Sequence, residues 1–139
     1  MGTKVAFVGL GVMGFPMAGW LSKRGYSVSV YNRTHKTAET WLKQYSGALE
    51  PTPADVAKDA DIVFICVGND DDVAAVTFGK DGVFSGMTAG AVLVDHTTTS
   101  AKLAHQLSAE AKKYKVGFVD APVSGGQQGA ENGQLTVMC

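Results

Sequence analysis

The chain has 139 residues, of which 45% are hydrophobic and 18% charged, and its formal net charge is −1. That length suits one domain with a single layered core, and the composition argues against a disordered chain. A charge so close to zero gives no reason to expect nucleic acid or an anionic membrane as a partner. Neither a signal peptide nor an apolar run near the roughly 20 residues that cross a bilayer is recognisable, so we expect no membrane segment and a cytoplasmic location.

Strand-like and helix-like segments alternate along the chain. Short apolar runs predict strands at 4–8, 27–31, 62–67, 91–95 and 117–120, with a last strand beginning over 135–139. Helical spacing and end signals predict helices at 13–24, 34–46, 52–57, 70–76 and 100–114, with Thr34, Thr52 and Ser100 as N-caps. This alternation predicts an α/β fold, specifically a Rossmann-type, doubly wound domain with a mostly parallel sheet over residues 1–139. Because the chain stops inside an apolar strand, we expect it to be a piece of a longer protein.

Glycine is over-represented, with 17 residues, and seven of them gather at two places. The first cluster, Gly9-Leu10-Gly11-Val12-Met13-Gly14, fits G-x-G-x-x-G between a predicted strand and a predicted helix. In that motif the first glycine allows a tight turn, the second lets a pyrophosphate approach the backbone, and the third lets helix and strand pack closely. Free N–H groups at the helix start would face the phosphates. Residues 9–14 therefore predict a dinucleotide cofactor.

The end of the second predicted strand favours NADP over NAD. NAD-binding domains carry an acid there, which accepts a hydrogen bond from the ribose 2′-hydroxyl. This chain has Asn32-Arg33-Thr34 instead. Arg33 can pair with a 2′-phosphate and Thr34 can donate a hydrogen bond to it. The alternative is that Arg33 is a solvated surface residue.

The second glycine cluster lies within residues 120–135. Ser124 followed by Gly125 and Gly126 offers a hydroxyl and adjacent N–H groups at a strand's carboxyl end, which suits a small carboxylate. A glycine-rich turn without a ligand is the alternative. Three histidines and two cysteines show no metal-ligand spacing, so no metal site is expected. His96 is interpreted as a partly buried loop histidine, and the acids 70–72 as a helix N-terminus rather than a cation site.

Taken together, these motifs resemble the β-hydroxyacid dehydrogenases, the family of 3-hydroxyisobutyrate dehydrogenase and tartronate semialdehyde reductase. Four segments carry the resemblance in the family's order: 9–14, 32–34, Asp95-His96-Thr97-Thr98-Thr99 and 120–135. The resemblance implies that Val67, Gly68 and Asn69 pass the adenosine ribose and pyrophosphate, and that Thr97 approaches the nicotinamide. It further implies that Ser124, Gly125 and Gly126 hold the substrate carboxylate.

The same resemblance implies that no catalytic residue lies in this chain. The family's catalytic lysine stands on a long helix after the substrate motif, with an asparagine four residues later, and so falls beyond Cys139. The all-helical C-terminal domain, which closes the cleft and mediates dimers, would be absent too, so a homo-oligomer is expected only of the full-length protein. Residues 1–139 would then bind cofactor without useful turnover. The full-length enzyme would act on a small carboxylate-bearing semialdehyde or hydroxyacid. An imine reductase-like enzyme and a non-catalytic dinucleotide-binding module remain alternatives.

Overall fold

The structure is a computed structural model that describes residues 3–138. Six strands form the larger sheet: β1 (Lys4–Val8), β2 (Ser27–Tyr31), β3 (Ala48–Leu49), β4 (Ile62–Ile65), β5 (Val92–Asp95) and β6 (Gly117–Asp120). The helices between and after them are α1 (Gly14–Lys23), α2 (His35–Gln44), α3 (Pro53–Ala57), α4 (Asp70–Thr77), α5 (Val83–Gly86), α6 (Ala101–Lys113) and α7 (Gly126–Glu131). A separate pair is formed by β7 (Val123–Ser124) and β8 (Thr136–Val137).

All neighbours in the larger sheet are parallel, in the order β3-β2-β1-β4-β5-β6. Val8, the last residue of β1, stands opposite Tyr31 on one side and Ile65 on the other, and Ile65 stands opposite Asp95. The residues that follow these strands therefore meet at one edge of the sheet. The strand order reverses between β1 and β4, which is the point where open α/β sheets bind ligands.

The core consists of two layers, one on each face of the sheet. Along β1, Val5 and Phe7 belong to a cluster that includes Trp41 of α2, whereas Ala6 and Val8 belong to the other. That second cluster contains buried residues of α3, α4, α5 and α6. Helices therefore cover both faces, and the predicted doubly wound α/β fold is confirmed.

Helix ends follow the predicted capping chemistry at two of three positions. The hydroxyls of Thr52 and Ser100 accept hydrogen bonds of 3.1 Å from the N–H groups of Asp55 and Leu103. Thr34 occupies the N-cap position of α2, but its side chain makes no capping bond among the described residues. These bonds satisfy N–H groups that the first turn of a helix leaves unpaired.

The shortest elements are not predicted by the sequence pattern. β3 and β7 have two residues each, too few for an alternating pattern, and α5 has only four. The glycine-rich loop contains the six-residue α7. The predicted last strand does not join the main sheet, since β8 pairs antiparallel with β7. Cys139, its last predicted residue, lies outside the described part of the chain.

Candidate functional site

The first glycine cluster forms the turn between β1 and α1, and its three glycines have different surroundings. Gly9 has φ +103°, and a Cβ on it would overlap the carbonyl oxygen of Cys66. A Cβ on Gly14 would overlap the carbonyl oxygen of Gly9, so a side chain there would push α1 away from the turn. A Cβ on Gly11 would meet nothing within 4 Å. The first and third positions therefore need glycine for the fold, while the space above Gly11 stays open.

The open side of this turn carries unpaired donors. Within residues 3–138, the N–H groups of Gly11, Val12 and Met13 donate to no protein acceptor. Val12 is 65% exposed, an unusual position for a valine. Unpaired N–H groups at a helix start, combined with the positive end of its dipole, form a ready anion site. The residues present thus fit the pyrophosphate of a dinucleotide.

Asn32 connects the end of β2 to the glycine turn. Its Oδ1 accepts a 2.8 Å hydrogen bond from the N–H of Leu10, and its Nδ2 donates to the carbonyl oxygen of Thr34 at 3.0 Å. Both polar ends of the amide are therefore engaged in holding the backbone. The side chain of Leu10 is buried in the core, so only its backbone is available to the site.

A cavity of about 610 Å³ lies beside the turn, large enough for part of a dinucleotide. Nine of the predicted cofactor residues line it: Gly9, Gly11, Val12, Met13, Gly14, Asn32, Arg33, Val67 and Gly68. Four others do not line it: Leu10, Thr34, Asn69 and Thr97. The structure therefore brings most of the predicted set together at the β1–β4 switch point.

Residues beyond the predicted set also line the cavity. They include Tyr31, Thr52, Pro53, Asp72 and Val76. Asp72 is the only one that makes an ion pair among the described residues, with its Oδ1 3.6 Å from Nη1 of Arg33. Its position in an acidic run predicts only a helix N-terminus. That interpretation is right for the helix, since α4 begins at Asp70, but the cap itself is Asn69, whose Oδ1 accepts from the N–H of Asp72 at 2.9 Å.

The carboxyl ends of β4 and β5 are tied together next to the cavity. The hydroxyl of Thr97 accepts a 3.0 Å hydrogen bond from the N–H of Val67, and the N–H of Thr97 donates to Oδ1 of Asp95 at 2.9 Å. Thr97 is only 3% exposed. In this structure it braces the edge of the sheet, and its predicted approach to the nicotinamide stays a prediction.

Asp95 is a fully buried carboxyl group at the end of β5. Burial raises its pKa to about 6, opposed by the hydrogen bonds from Thr97. Its second oxygen, Oδ2, has no partner within the described chain. Burial also raises the pKa of the neighbouring Cys66 thiol to about 11, and the charge of Asp95 adds to that effect. The thiol is therefore protonated at neutral pH, in accord with its interpretation as a small hydrophobe.

His96 is also buried, and its ring is committed to structure. The ring stacks on Phe64 at a centroid distance of 5.7 Å, and Nδ1 lies 2.7 Å from the carbonyl oxygen of Ala121. Because a carbonyl can only accept, Nδ1 carries the hydrogen. Burial lowers the pKa of His96 below its usual range. A neutral ring with Nδ1 engaged matches the predicted buried loop histidine.

The second glycine cluster follows β6 and turns at the same edge of the sheet. Gly125 and Gly126 have φ +123° and +63°, and Ser124 is exposed. The far end of α7 is fixed by Trp20 of α1, whose indole N–H donates to the carbonyl oxygens of Ala130 and Glu131 at 3.1 and 3.2 Å. Ser124, Gly125 and Gly126 do not line the cavity beside the glycine turn.

The fold, the glycine turn and the cavity define a dinucleotide-binding domain of Rossmann type. Residues 4–139 match the family model of the NAD-binding domain of 6-phosphogluconate dehydrogenase, so the chain belongs to that family. No helix in residues 3–138 is both long and apolar enough to cross a membrane.

Curated relatives are oxidoreductases by name. An uncharacterized oxidoreductase of Shewanella frigidimarina is 59% identical over 135 residues, which is 97% of this chain and 46% of the relative. The probable 3-hydroxyisobutyrate dehydrogenase-like 1, mitochondrial, of Arabidopsis thaliana is 44% identical and is covered over 40% of its length. The chain thus spans a little under half of these relatives. The resemblance to the 3-hydroxyisobutyrate dehydrogenase group is confirmed.

Solved structures agree with this placement. The 3-hydroxyisobutyrate dehydrogenase of Mycobacterium tuberculosis, solved with L-serine, superposes with a TM-score of 0.91 at 28% identity over 99% of this chain and 46% of that one. An imine reductase from Pseudomonas sp. superposes with a TM-score of 0.80 at 19% identity, over 93% of this chain and 44% of that one. At that identity the second likeness concerns the fold alone.

Proposed function

We propose that this chain is the cofactor-binding half of an NADP-dependent oxidoreductase that acts on a small β-hydroxyacid or its semialdehyde. One observation carries the proposal: the glycine turn lines the cavity with unpaired N–H groups, and Arg33 lies on the same cavity. When bound, the nicotinamide supplies the hydride chemistry at a carbonyl carbon, and the protein supplies binding and orientation.

The cofactor is held along the carboxyl edge of the sheet. The backbone of Gly11, Val12 and Met13 binds the pyrophosphate, and the guanidinium of Arg33 binds the 2′-phosphate, with Thr34 as a further donor. Asn32 positions the glycine turn through its bond to the backbone. The remaining predicted contacts are Val67, Gly68 and Asn69 at the adenosine ribose and pyrophosphate, and Thr97 at the nicotinamide end.

The substrate carboxylate is bound by Ser124, Gly125 and Gly126. Support comes from the exposed position of Ser124 and from the positive φ angles of Gly125 and Gly126, a backbone conformation that favours glycine. A carboxylate-binding loop favours a hydroxyacid or semialdehyde over an imine as substrate.

The proton donor is proposed to lie outside residues 1–139. His96 is neutral with its Nδ1 hydrogen engaged, and the Cys66 thiol is buried, so neither suits the task. The resemblance implies that the catalytic lysine lies beyond residue 139, and this chain covers only 46% of its Shewanella relative. Full-length protein is expected to be a homo-oligomer, as its resemblance implies.

Nucleotide titrations test the cofactor assignment. We expect the chain to bind NADPH about ten- to a hundredfold more tightly than NADH, since a charge-assisted hydrogen bond contributes about 1.5–3 kcal/mol. Arg33→Gln should remove most of that difference. Lys43→Gln, which removes an exposed cation at the other end of α2, is the matched control and should leave it intact. Equal affinities in the wild type would refute the NADP preference, and binding of neither nucleotide would refute the cofactor site.

A turnover assay tests whether the proton donor lies outside residues 1–139. With NADP and 3-hydroxyisobutyrate or related hydroxyacids, the 139-residue chain should show no useful rate, because loss of a general acid alone costs about 10²–10⁴. A near-normal rate would contradict the assignment of the proton donor to another part of the protein.

A further inference from the structure

The carboxylate of Asp72 stands directly against the group expected to bind the 2′-phosphate. Its Oδ1 is 3.6 Å from Nη1 of Arg33, and both residues line the cavity beside the glycine turn. The Arg33 side chain is 87% exposed and that of Asp72 32% exposed. An ion pair in such an exposed setting is weak, so an incoming anion can replace the carboxylate as the partner of Arg33.

The position of Asp72 is fixed by its helix. Its N–H is bonded to Oδ1 of Asn69, the N-cap of α4, which anchors the residue in the first helical turn. On the other side, a Cβ on Gly68 would come within 2.5 Å of Oδ2 of Asp72, so the carboxylate rests over a residue without a side chain. The carboxylate of Asp72 therefore has a fixed position in the lining of the cavity.

A phosphate bound to Arg33 would share the cavity with this charge. A phosphate oxygen about 3 Å from the guanidinium places the group within about 7 Å of the carboxylate, which is inside the Debye length of about 8 Å at physiological ionic strength. The 2′-phosphate carries between one and two negative charges at neutral pH, whereas NAD has only a hydroxyl there. Repulsion by Asp72 therefore acts on NADP and leaves NAD nearly unaffected.

We propose that Asp72 is a specificity-determining residue, an inference that rests on the cofactor site proposed above. Asp72 pairs with Arg33 in the free protein and thereby limits the preference for NADP over NAD. It competes with the 2′-phosphate for the guanidinium and repels the phosphate once bound. The domain thereby binds NADP less tightly than Arg33 alone would allow.

The test is a titration of NADPH and NADH into wild type, Asp72→Asn and Asp72→Ala. Both variants should tighten NADPH binding about three- to tenfold, as expected for one or two charge pairs about 7 Å apart near water. NADH affinity should change less than twofold. The gain should fall below twofold in 1 M salt, where the Debye length is about 3 Å.

Asp71→Asn is the matched control. It removes the same charge from the same first turn of α4, so it reproduces any loss of helix-dipole interaction, but Asp71 is exposed and does not line the cavity. It should leave both nucleotide affinities within twofold of wild type. Far-ultraviolet circular dichroism checks that all variants are folded.

The outcomes separate this inference from the function on which it rests. If wild type prefers NADPH and neither Asp72 variant tightens its binding, the role of Asp72 is overturned while the cofactor site stands. A weakened NADH affinity with unchanged NADPH affinity would also overturn it, since Asp72 would then serve as a ribose ligand. If wild type binds neither nucleotide, the proposed function fails and this inference fails with it.

Discussion

Replacing Asp95 by asparagine should change how the stability of the domain depends on pH. In the folded chain this carboxyl group is fully buried, with one oxygen bonded to the N–H of Thr97 and the other unpartnered among the described residues. Its folded pKa of about 6 lies above the ordinary value of 3.8. The folded state therefore holds the proton more tightly than the unfolded state, and Asp95 lowers the free energy of unfolding as the pH rises from about 4 to 6.

The size of the effect follows from the shift. Two pKa units correspond to about 3 kcal/mol, at 1.36 kcal/mol per unit, and about 2 kcal/mol of this develops between pH 4 and pH 8. Asparagine keeps an oxygen for the N–H of Thr97 but cannot ionise. Its buried NH₂ group has a cost of about 1–3 kcal/mol, which is the same at both pH values and cancels from the difference.

Urea unfolding followed by tryptophan fluorescence measures the free energies at the two pH values. Relative to wild type, Asp95→Asn should gain about 2 kcal/mol between pH 4 and pH 8. Glu39→Gln, at an exposed position of α2, should show no comparable gain. An offset between Asp95→Asn and wild type that is equal at both pH values would refute the reasoning.

Two further predictions concern the glycine turn and the indole of Trp20. Gly11→Ala should have the same free energy of unfolding as wild type, because nothing lies within 4 Å of the added methyl group. It should nevertheless weaken NADPH binding at least tenfold, because the methyl group occupies the space proposed for the pyrophosphate. Gly14→Ala, whose methyl group would overlap the carbonyl oxygen of Gly9, should instead lose more than about 2 kcal/mol in urea unfolding. Equal stability of these two variants would contradict their assigned roles. Trp20→Phe should lose about 1 kcal/mol and make α7 more sensitive to limited proteolysis while NADPH affinity is unchanged, since it removes hydrogen bonds from the indole to Ala130 and Glu131. Unchanged proteolysis would show that the indole does not hold α7.

The glycine turn could be predicted from the sequence because its chemistry is local. Positions 9, 11 and 14 and the flanking strand and helix lie within twenty residues. Gly9 and Gly14 have the steric reasons that the motif states in advance, and the space beside Gly11 is open as the motif requires. The longer strands could be predicted equally well. A parallel sheet is covered on both faces, so its strands are nearly continuous apolar runs. The shortest elements could not be predicted, because two residues carry no periodicity.

Contacts between distant segments could not be read from the sequence. Asn32 was predicted to contact the cofactor, but its bond to Leu10, 22 residues away, depends on β1 and β2 being neighbours. The pairing of Arg33 with Asp72 likewise depends on how α4 packs beside the end of β2. Local patterns identify residue types at strand ends, whereas the strand order decides which of them meet.

The attachment of α7 to α1 has a mechanical consequence. A Cβ on Gly133 would come within 2.9 Å of the indole of Trp20, so the lack of a side chain at that position lets the chain after α7 close onto the ring. One end of α1 begins at the glycine turn, and Trp20 near its other end holds the segment that starts at Gly126. The glycine turn and the segment that starts at Gly126 are therefore both attached to the same helix, α1. Replacing the indole removes the attachment of α7 and leaves the glycine turn at the start of α1 in place.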